Sequence, residues 1–236
     1  MTTSAISYQR HRFPGEIISH AVWLYYRFTL SYRDVEEMLA QRGIMVSYEA
    51  FRYWCHKFGS NFIRSIRQRQ RDVSHQWHID EVFLKIKGRI YYLFRAVDQD
   101  GQVLDILMQS RRNKQAALQF FRRLLKQQGS APRILVTDKL RSYRAAHQEM
   151  LSRTEHRTHR WANNRIENSH QPTRQRERRM RPFKSPGHAQ RFLSVHGAIY
   201  SFFCPGRHLF AAPAYRKVLR QQLAGWNQLA GISAAV

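Results

Sequence analysis

Apolar residues recur every three to four places over the first seventy positions; from Gln76 onward they alternate or run together. The first spacing belongs to helices and the second to strands. Pro14 suits a first helical position, and Ile17, Ile18, Ala21, Val22, Leu24 and Tyr25 form one apolar face after it. Ser31, with Asp34 three residues on, opens a second helix as a capping box does. Val35, Met38 and Leu39 are its stripe, and Gly43 suits the left-handed stop behind it. Ser47 caps a third helix, "SYEAFRYWCHKF", with Ala50, Phe51 and Trp54 turned inward and Tyr48, Glu49, Arg52, Tyr53 and His56 outward. Two helices joined by a Gly-containing turn fit a helix-turn-helix, which would lay Tyr48, Arg52, Tyr53 and His56 in a DNA major groove. A plain helical bundle fits the same pattern. Residues 59–75 continue basic and polar, as a helical extension and linker.

The second regime reads as a sheet. "WHIDEVFLKI" and "RIYYLFRAVD" flank Lys87-Gly88, and "QVLDILMQS" follows the turn "DQDG". Short turns between strands predict an antiparallel meander. Asn113 caps a helix with Ala117, Phe120, Phe121, Leu124 and Leu125 on its inner side, and Gly129 closes it. The run Ile134-Leu135-Val136 is apolar without alternation, as in a strand buried on both faces and paired in parallel after a crossover helix. The stretch "GHAQRFLSVHGAIYSFF" reads as an amphipathic helix on the sheet, and Pro172 predicts a kink or stop in the helix that starts near Asn163. A last helix in the tail would place Trp226 and Leu229 against a second subunit.

Composition then narrows the partner. Hydrophobic residues make up 43 % of the 236, enough for a folded chain. There are 40 Lys and Arg against 16 Asp and Glu, a net charge of +24, and such a surface seeks a polyanion. Nucleic acid fits. An anionic membrane does not, because no run of about eighteen apolar residues exists and the N-terminus lacks a signal-peptide core. Two isolated cysteines, Cys55 and Cys204, make neither a disulfide framework nor a zinc ribbon and read as packed thiols in a reducing compartment. His156 and His159, in "EHRTHR" with no cysteine near, read as basic surface groups.

In so basic a chain, an acid within a buried strand calls for a cause. Alternation sets Asp80 on one face with His78, Val82, Leu84 and Ile86. A bare carboxylate there costs several kcal/mol, roughly, or takes up a proton. Asp138 stands at the carboxyl end of the "ILVT" strand, and Glu167 heads a cationic helix. If the two strands are parallel neighbours, Asp80 and Asp138 share one space, and Glu167 can reach its rim. Three such acids suit a divalent cation with oxygen ligands, Mg²⁺ above all. Each has a plainer reading: Asp138 as a helix cap, Glu167 as a first-turn acid, Asp80 as partner of a buried Arg or Lys. Glu81, which alternates onto the opposite face with Trp77, Ile79 and Phe83, ranks second to Asp80. Lys139, Arg141, Asn164, Arg165 and His170 flank the acids as candidate phosphate contacts.

The blocks "WHIDEVFLKIKGRIYYLFRAVDQDG", "VTDKLRSY", "NNRIENSHQPTRQRERRMRPFKSP" and "AQRFLSVHG" together resemble the DDE transposases of bacterial insertion sequences, and within them the insertion-sequence-six family. The resemblance spans about residues 13–210. It implies an α/β fold: an RNase H-like mixed five-stranded sheet flanked by helices, preceded by a small all-α helix-turn-helix domain. Residues 1–72 would be that domain with its basic linker, 73–205 the catalytic domain and 206–236 a helical tail. Asp80, Asp138 and Glu167 fall where the family keeps its catalytic, metal-holding acids, although Asp138 and Glu167 lie closer together than is usual in the class. The family further implies Mg²⁺, with Mn²⁺ able to substitute, and a transposase that binds terminal inverted repeats, nicks DNA and joins the 3′-hydroxyl to target DNA. A homodimer or larger assembly on duplex DNA, in the bacterial cytoplasm at the nucleoid and with no membrane contact, goes with that. A metal-dependent nuclease on the same fold and a non-catalytic DNA-binding regulator are the competing readings.

Overall fold

The computed structural model describes residues 6–69, 75–158, 164–203 and 210–232, without the side chains of 164–169. The chain forms two compact units, residues 1–70 with 195–236, and residues 71–194.

In the first unit α1 (Gly15–Phe28) starts one residue after Pro14, which stands at its N-cap position and not as the first helical residue, while α2 (Tyr32–Ala40) and α3 (Tyr48–Arg69) begin where the capping residues place them. Ser31 and Asp34 complete a reciprocal capping box at α2, and the Ser47 hydroxyl accepts from the Ala50 N–H at 3.3 Å. Gly43 takes the left-handed conformation, φ 74°, that releases the chain toward α3. Phe51, Trp54 and Cys55 are buried, while Arg52, Tyr53 and His56 are exposed and Tyr48 is half-buried. The stretch from Gly59 to Arg69 is helical and continuous with α3. Two C-terminal pieces complete this unit: the second half of α7 (Pro186–Phe202) and α8 (Ala212–Leu229). Gly59 lets α7 come close, since a Cβ there would stand 3.1 Å from Val195, and His196 Nδ1 lies 2.7 Å from the Tyr26 carbonyl oxygen. Trp226 does not face outward for a second subunit: it is 3 % exposed, stacked 4.6 Å from Phe62 and packed 5.8 Å from Phe203. An amphipathic helix buries its apolar stripe on the nearest apolar surface, and α3 offers one.

The second unit is built on β1 (Gln76–Ile86), β2 (Arg89–Val97), β3 (Val103–Gln109), β4 (Ile134–Thr137) and β5 (Glu155–Arg157) in the order β3-β2-β1-β4-β5. β1, β2 and β3 pair antiparallel, and β4 pairs parallel with both β1 and β5. Lys87 and Gly88, at φ 50° and 81°, turn the first hairpin with the two positive φ values that match strand twist. α4 (Lys114–Gln128), capped by the Asn113 side chain onto the Ala116 N–H at 3.0 Å, carries the crossover to β4. With α5 (Arg141–Met150) it covers one face, where Trp77, Ile79, Phe94, Phe120, Phe121, Leu135 and Tyr143 form the core. α6 (Asn164–Arg179) packs on β1 and β2. It stays helical through Pro172 instead of stopping there; a helix held along a sheet can tolerate one missing backbone hydrogen bond. The first half of α7 closes the free edge of β3: Gln190 accepts from the Met108 N–H at 2.7 Å and donates to the Ile106 carbonyl at 3.1 Å. This mixed sheet with helices on both faces is the RNase H-like arrangement. Among the described residues no helix is long and apolar enough to cross a membrane.

Candidate active site

Asp80 lies midway along β1, directly across from the buried Arg95 of β2. Ile79 is the β1 partner of Thr137, the last residue of β4, so Asp138 leaves the sheet beside Asp80. The parallel crossover therefore brings together two acids that are 58 positions apart in sequence (138 − 80). Glu81 joins them. Carboxylate oxygens of Asp80, Glu81 and Asp138 all fall within 4.8 Å of one another. Alternation alone sets Glu81 on the opposite face, but β4 ends at Thr137, and among the described residues no strand walls off that side of β1 beyond it.

The cluster is tied down on each side. Glu81, its side chain 3 % exposed, accepts from the Tyr143 hydroxyl at 2.5 Å and pairs with Arg112. The same guanidinium donates to Asp138 Oδ2 at 3.1 Å, while Asp138 Oδ1 accepts from the Leu140 N–H at 3.0 Å. Asp138 is not the helix cap: Leu140 holds the N-cap position of α5 without a side-chain cap, and the Asp138 carboxylate closes the turn before it while still facing the other acids. Burial pushes Glu81 up to about 7, against the pull of Tyr143 and Arg112, and the charges of Asp138 and Asp80 add to the push. Burial also raises Asp138, with Asp80 adding to it and the Leu140 amide and Arg112 opposing. Mutual repulsion among desolvated carboxylates is what a bound cation would relieve.

His170 of α6 is not turned to solvent as a phosphate contact. Its Nε2 lies 3.1 Å from Asp80 Oδ2 and its side chain is 12 % exposed. Glu167 is the fourth residue of α6, one helical turn before His170; its side chain, and those of Asn164 and Arg165, lie outside the described residues. Lys139, inside the Asp138–Leu140 turn, and Arg141, just after it, are both exposed. Tyr48, Arg52, Tyr53 and His56 belong to the first unit, on α3. His156 corrects the surface reading. It stacks on His147 with centroids 4.6 Å apart and lies 2.8 Å from the Thr137 hydroxyl, and burial, with His147 and Arg144 adding, lowers its pKa to about 4. At neutral pH it is an uncharged part of the β4–β5 packing. His159 and Cys204 lie outside the described residues; Cys55 is buried.

Sequence reasoning missed Arg112 and Tyr143. Arg112 is one of 40 Lys and Arg residues and carries no local pattern. Tyr143 had a faint signal: a tyrosine on the inner face of a helix needs a partner for its hydroxyl.

Comparison with known proteins bears on the same residues. Residues 74–203 match a family model described as a DDE domain. Over 208 residues, 86 % of this chain and 91 % of the relative, the sequence is 31 % identical to the transposase for insertion sequence-like element IS431mec of Staphylococcus aureus. The identity and coverage are the same for the transposase of insertion sequence element IS257 in transposon Tn4003, also from Staphylococcus aureus. Among solved structures, the Mos1 transposase catalytic domain with raltegravir and Mg is 12 % identical, over 74 % of this chain and 94 % of that one, at a TM-score of 0.40, a likeness too loose to build on. On the family match and the near full-length relatives, the chain belongs to the insertion-sequence-six family of DDE transposases, enzymes that cut DNA and transfer its ends.

Proposed function

We propose that Asp80, Asp138 and Glu167 are the catalytic acids of this transposase, and that they hold Mg²⁺, with Mn²⁺ able to replace it. The family implies a divalent metal, and the side chains present fit one: the ligand atoms are hard oxygens, gathered within 4.8 Å among Asp80, Glu81 and Asp138, with charges that repel. The observation that carries the reading is the parallel β1–β4 register, which sets Asp138 beside Asp80. Glu167 enters from its place near the start of α6, one turn before the residue that meets Asp80.

A divalent cation bound there would polarise the scissile phosphodiester and acidify the attacking water. Asp80 and Asp138 keep their carboxylates aimed at the shared space, through His170 on one side and through Arg112 and the Leu140 amide on the other. Lys139 and Arg141 draw the DNA strand to the mouth of the site through its phosphates. Water attacks a phosphodiester at the element's end; a P–O bond forms, the bond to the 3′-oxygen breaks, and that oxygen leaves as the 3′-hydroxyl. In the second step the 3′-hydroxyl attacks a target phosphodiester and the displaced strand leaves. Both are in-line exchanges at phosphorus without a covalent enzyme link. Recognition of the terminal inverted repeats falls to α3, through Tyr48, Arg52, Tyr53 and His56. The enzyme works as a homodimer or larger assembly on duplex DNA of the bacterial nucleoid.

The test is incubation of purified protein with labelled element ends, a target plasmid and Mg²⁺, with products sized on a gel. Asp80→Asn, Asp138→Asn and Glu167→Gln each remove cleavage and joining, by about a thousandfold or more, and leave end binding intact. Full joining by any one of these variants strikes that residue from the site. Cleavage without joining in the unaltered protein identifies a nuclease, and end binding alone identifies a regulator.

A further inference from the structure

The segment ahead of α1 is not a loose leader. Tyr8 lies across Gly15, where a Cβ would come within 2.7 Å of its ring, and sits 5.0 Å from Phe58 of α3. His11 stacks on Tyr53 at 6.2 Å and 19°, lies 5.2 Å from Phe58, and brings Nε2 to 3.3 Å from Lys57 Nζ. Between these two anchors Arg10 holds φ 63°, in a turn closed by the His11 N–H on the Tyr8 carbonyl at 3.2 Å. A non-glycine residue in that conformation costs on the order of 1–2 kcal/mol and persists only where its surroundings over-determine it. Two aromatic anchors and one strained corner thus lock the segment onto the side of α3 that carries Tyr53 and Phe58.

The lock leaves an open cleft of about 600 Å³ between segment and helix. Arg10, His11, Arg12 and Lys57 line it together with Tyr53, and no carboxylate does. Arg10, Arg12 and Lys57 are exposed, and Tyr53 is 55 % exposed. Concentrated positive charge without a counter-acid, on a scaffold ordered in advance, suits anionic oxygens, and arginine forks match phosphate geometry.

We propose that residues 8–13 form a second DNA-binding element, an arm that grips the sugar–phosphate backbone of the duplex beside the groove read by α3. This rests on the reading of α3 as the DNA-facing helix. The arm adds affinity and register without sequence preference, since phosphates are the same at every base pair. Arg52, on the exposed face of α3, is left to discriminate sequence.

The experiment measures binding of the full chain to a duplex bearing the terminal inverted repeat and to a random duplex of equal length, across a series of KCl concentrations. In the Arg10→Ala/Arg12→Ala double variant, the slope of log affinity against log salt becomes shallower by about 2, one step for each phosphate that the protein no longer neutralises. Both duplexes weaken by the same factor, about tenfold or more, and the end-to-random ratio holds. Gly15→Ala keeps every cation but displaces Tyr8, and weakens both duplexes in the same sense. An unchanged salt slope in the double variant overturns the arm. Arg52→Ala separates the two readings. If it lowers the end-to-random ratio while the double variant changes nothing, the arm alone fails. If it leaves the ratio intact while the double variant flattens the slope, the arm stands and Arg52 is struck as the residue that discriminates sequence.

Discussion

Arg112 shows how one side chain can organise a site that chemistry alone would scatter. The Glu81 side chain is 3 % exposed and that of Asp138 34 %, and the guanidinium spans both. Breaking a buried pair from one side leaves an uncompensated charge, a cost that the 39 % exposure of Arg112 tempers by solvent screening. Arg112→Gln should therefore destabilise the protein by about 1–2 kcal/mol at pH 8, where Glu81 is charged. Glu81→Gln in the same background should restore most of it. Because Glu81 titrates near 7, the Arg112→Gln penalty should shrink by pH 5.5; urea titrations of the four proteins of the cycle check this. His156 makes the opposite pH prediction. Its folded pKa of about 4 lies below the ordinary 6.5, so as pH falls between those values the unfolded chain takes a proton that the folded protein refuses. The stability of the parent relative to His156→Gln should be constant above about 6.5 and decline toward pH 4. Glu81, raised in the fold, works in the other direction between about 7 and its ordinary 4.5, so the difference between variants is the quantity to measure.

At the scale of elements, local signals served where they act over three or four residues and failed where they depend on a neighbour. Ser31 and Asp34 settle the start of α2 between themselves. Ser31→Ala should cost about 1 kcal/mol, and faster hydrogen exchange at the first turn of α2 would register it. Pro172 is the counterexample. Taken alone it kinks or ends a helix, and of these the stop does not occur: α6 continues through it along the sheet. Glu81 is a subtler case, because strand periodicity gives the face of a side chain but not whether a neighbouring strand extends far enough to confine it. β5 shows the same limit: a strand of three residues, Glu155–Arg157, has too few positions for a pattern, and only its pairing with β4 defines it.

For the whole molecule, a net charge of +24 and a stable fold have to coexist. Basic residues lie chiefly at the surface, where a polyanion can neutralise them, and few cations are buried: among the described residues Arg95 and Arg176, the latter 3.5 Å from the Phe183 ring centroid. The first unit is closed by the far end of the chain through Trp226. Trp226→Ala should leave a cavity beside Phe62 and cost about 3–5 kcal/mol. Thermal unfolding at two protein concentrations checks it, since a penalty that varied with concentration would instead place Trp226 between subunits.

Periodicity, capping residues and charge, taken from the sequence alone, determined the helical start, the antiparallel meander, the buried fourth strand and a strongly cationic surface, because each arises from residues adjacent in the chain or from a simple sum over it. Four motif blocks in order added the family. Tertiary structure alone decided that Glu81 joins Asp80 and Asp138, that Arg112 and Tyr143 hold them, that His156 is neutral and that Trp226 closes its own unit. Those facts depend on distances between residues far apart in sequence, and desolvation and Coulomb energies respond to distance in space.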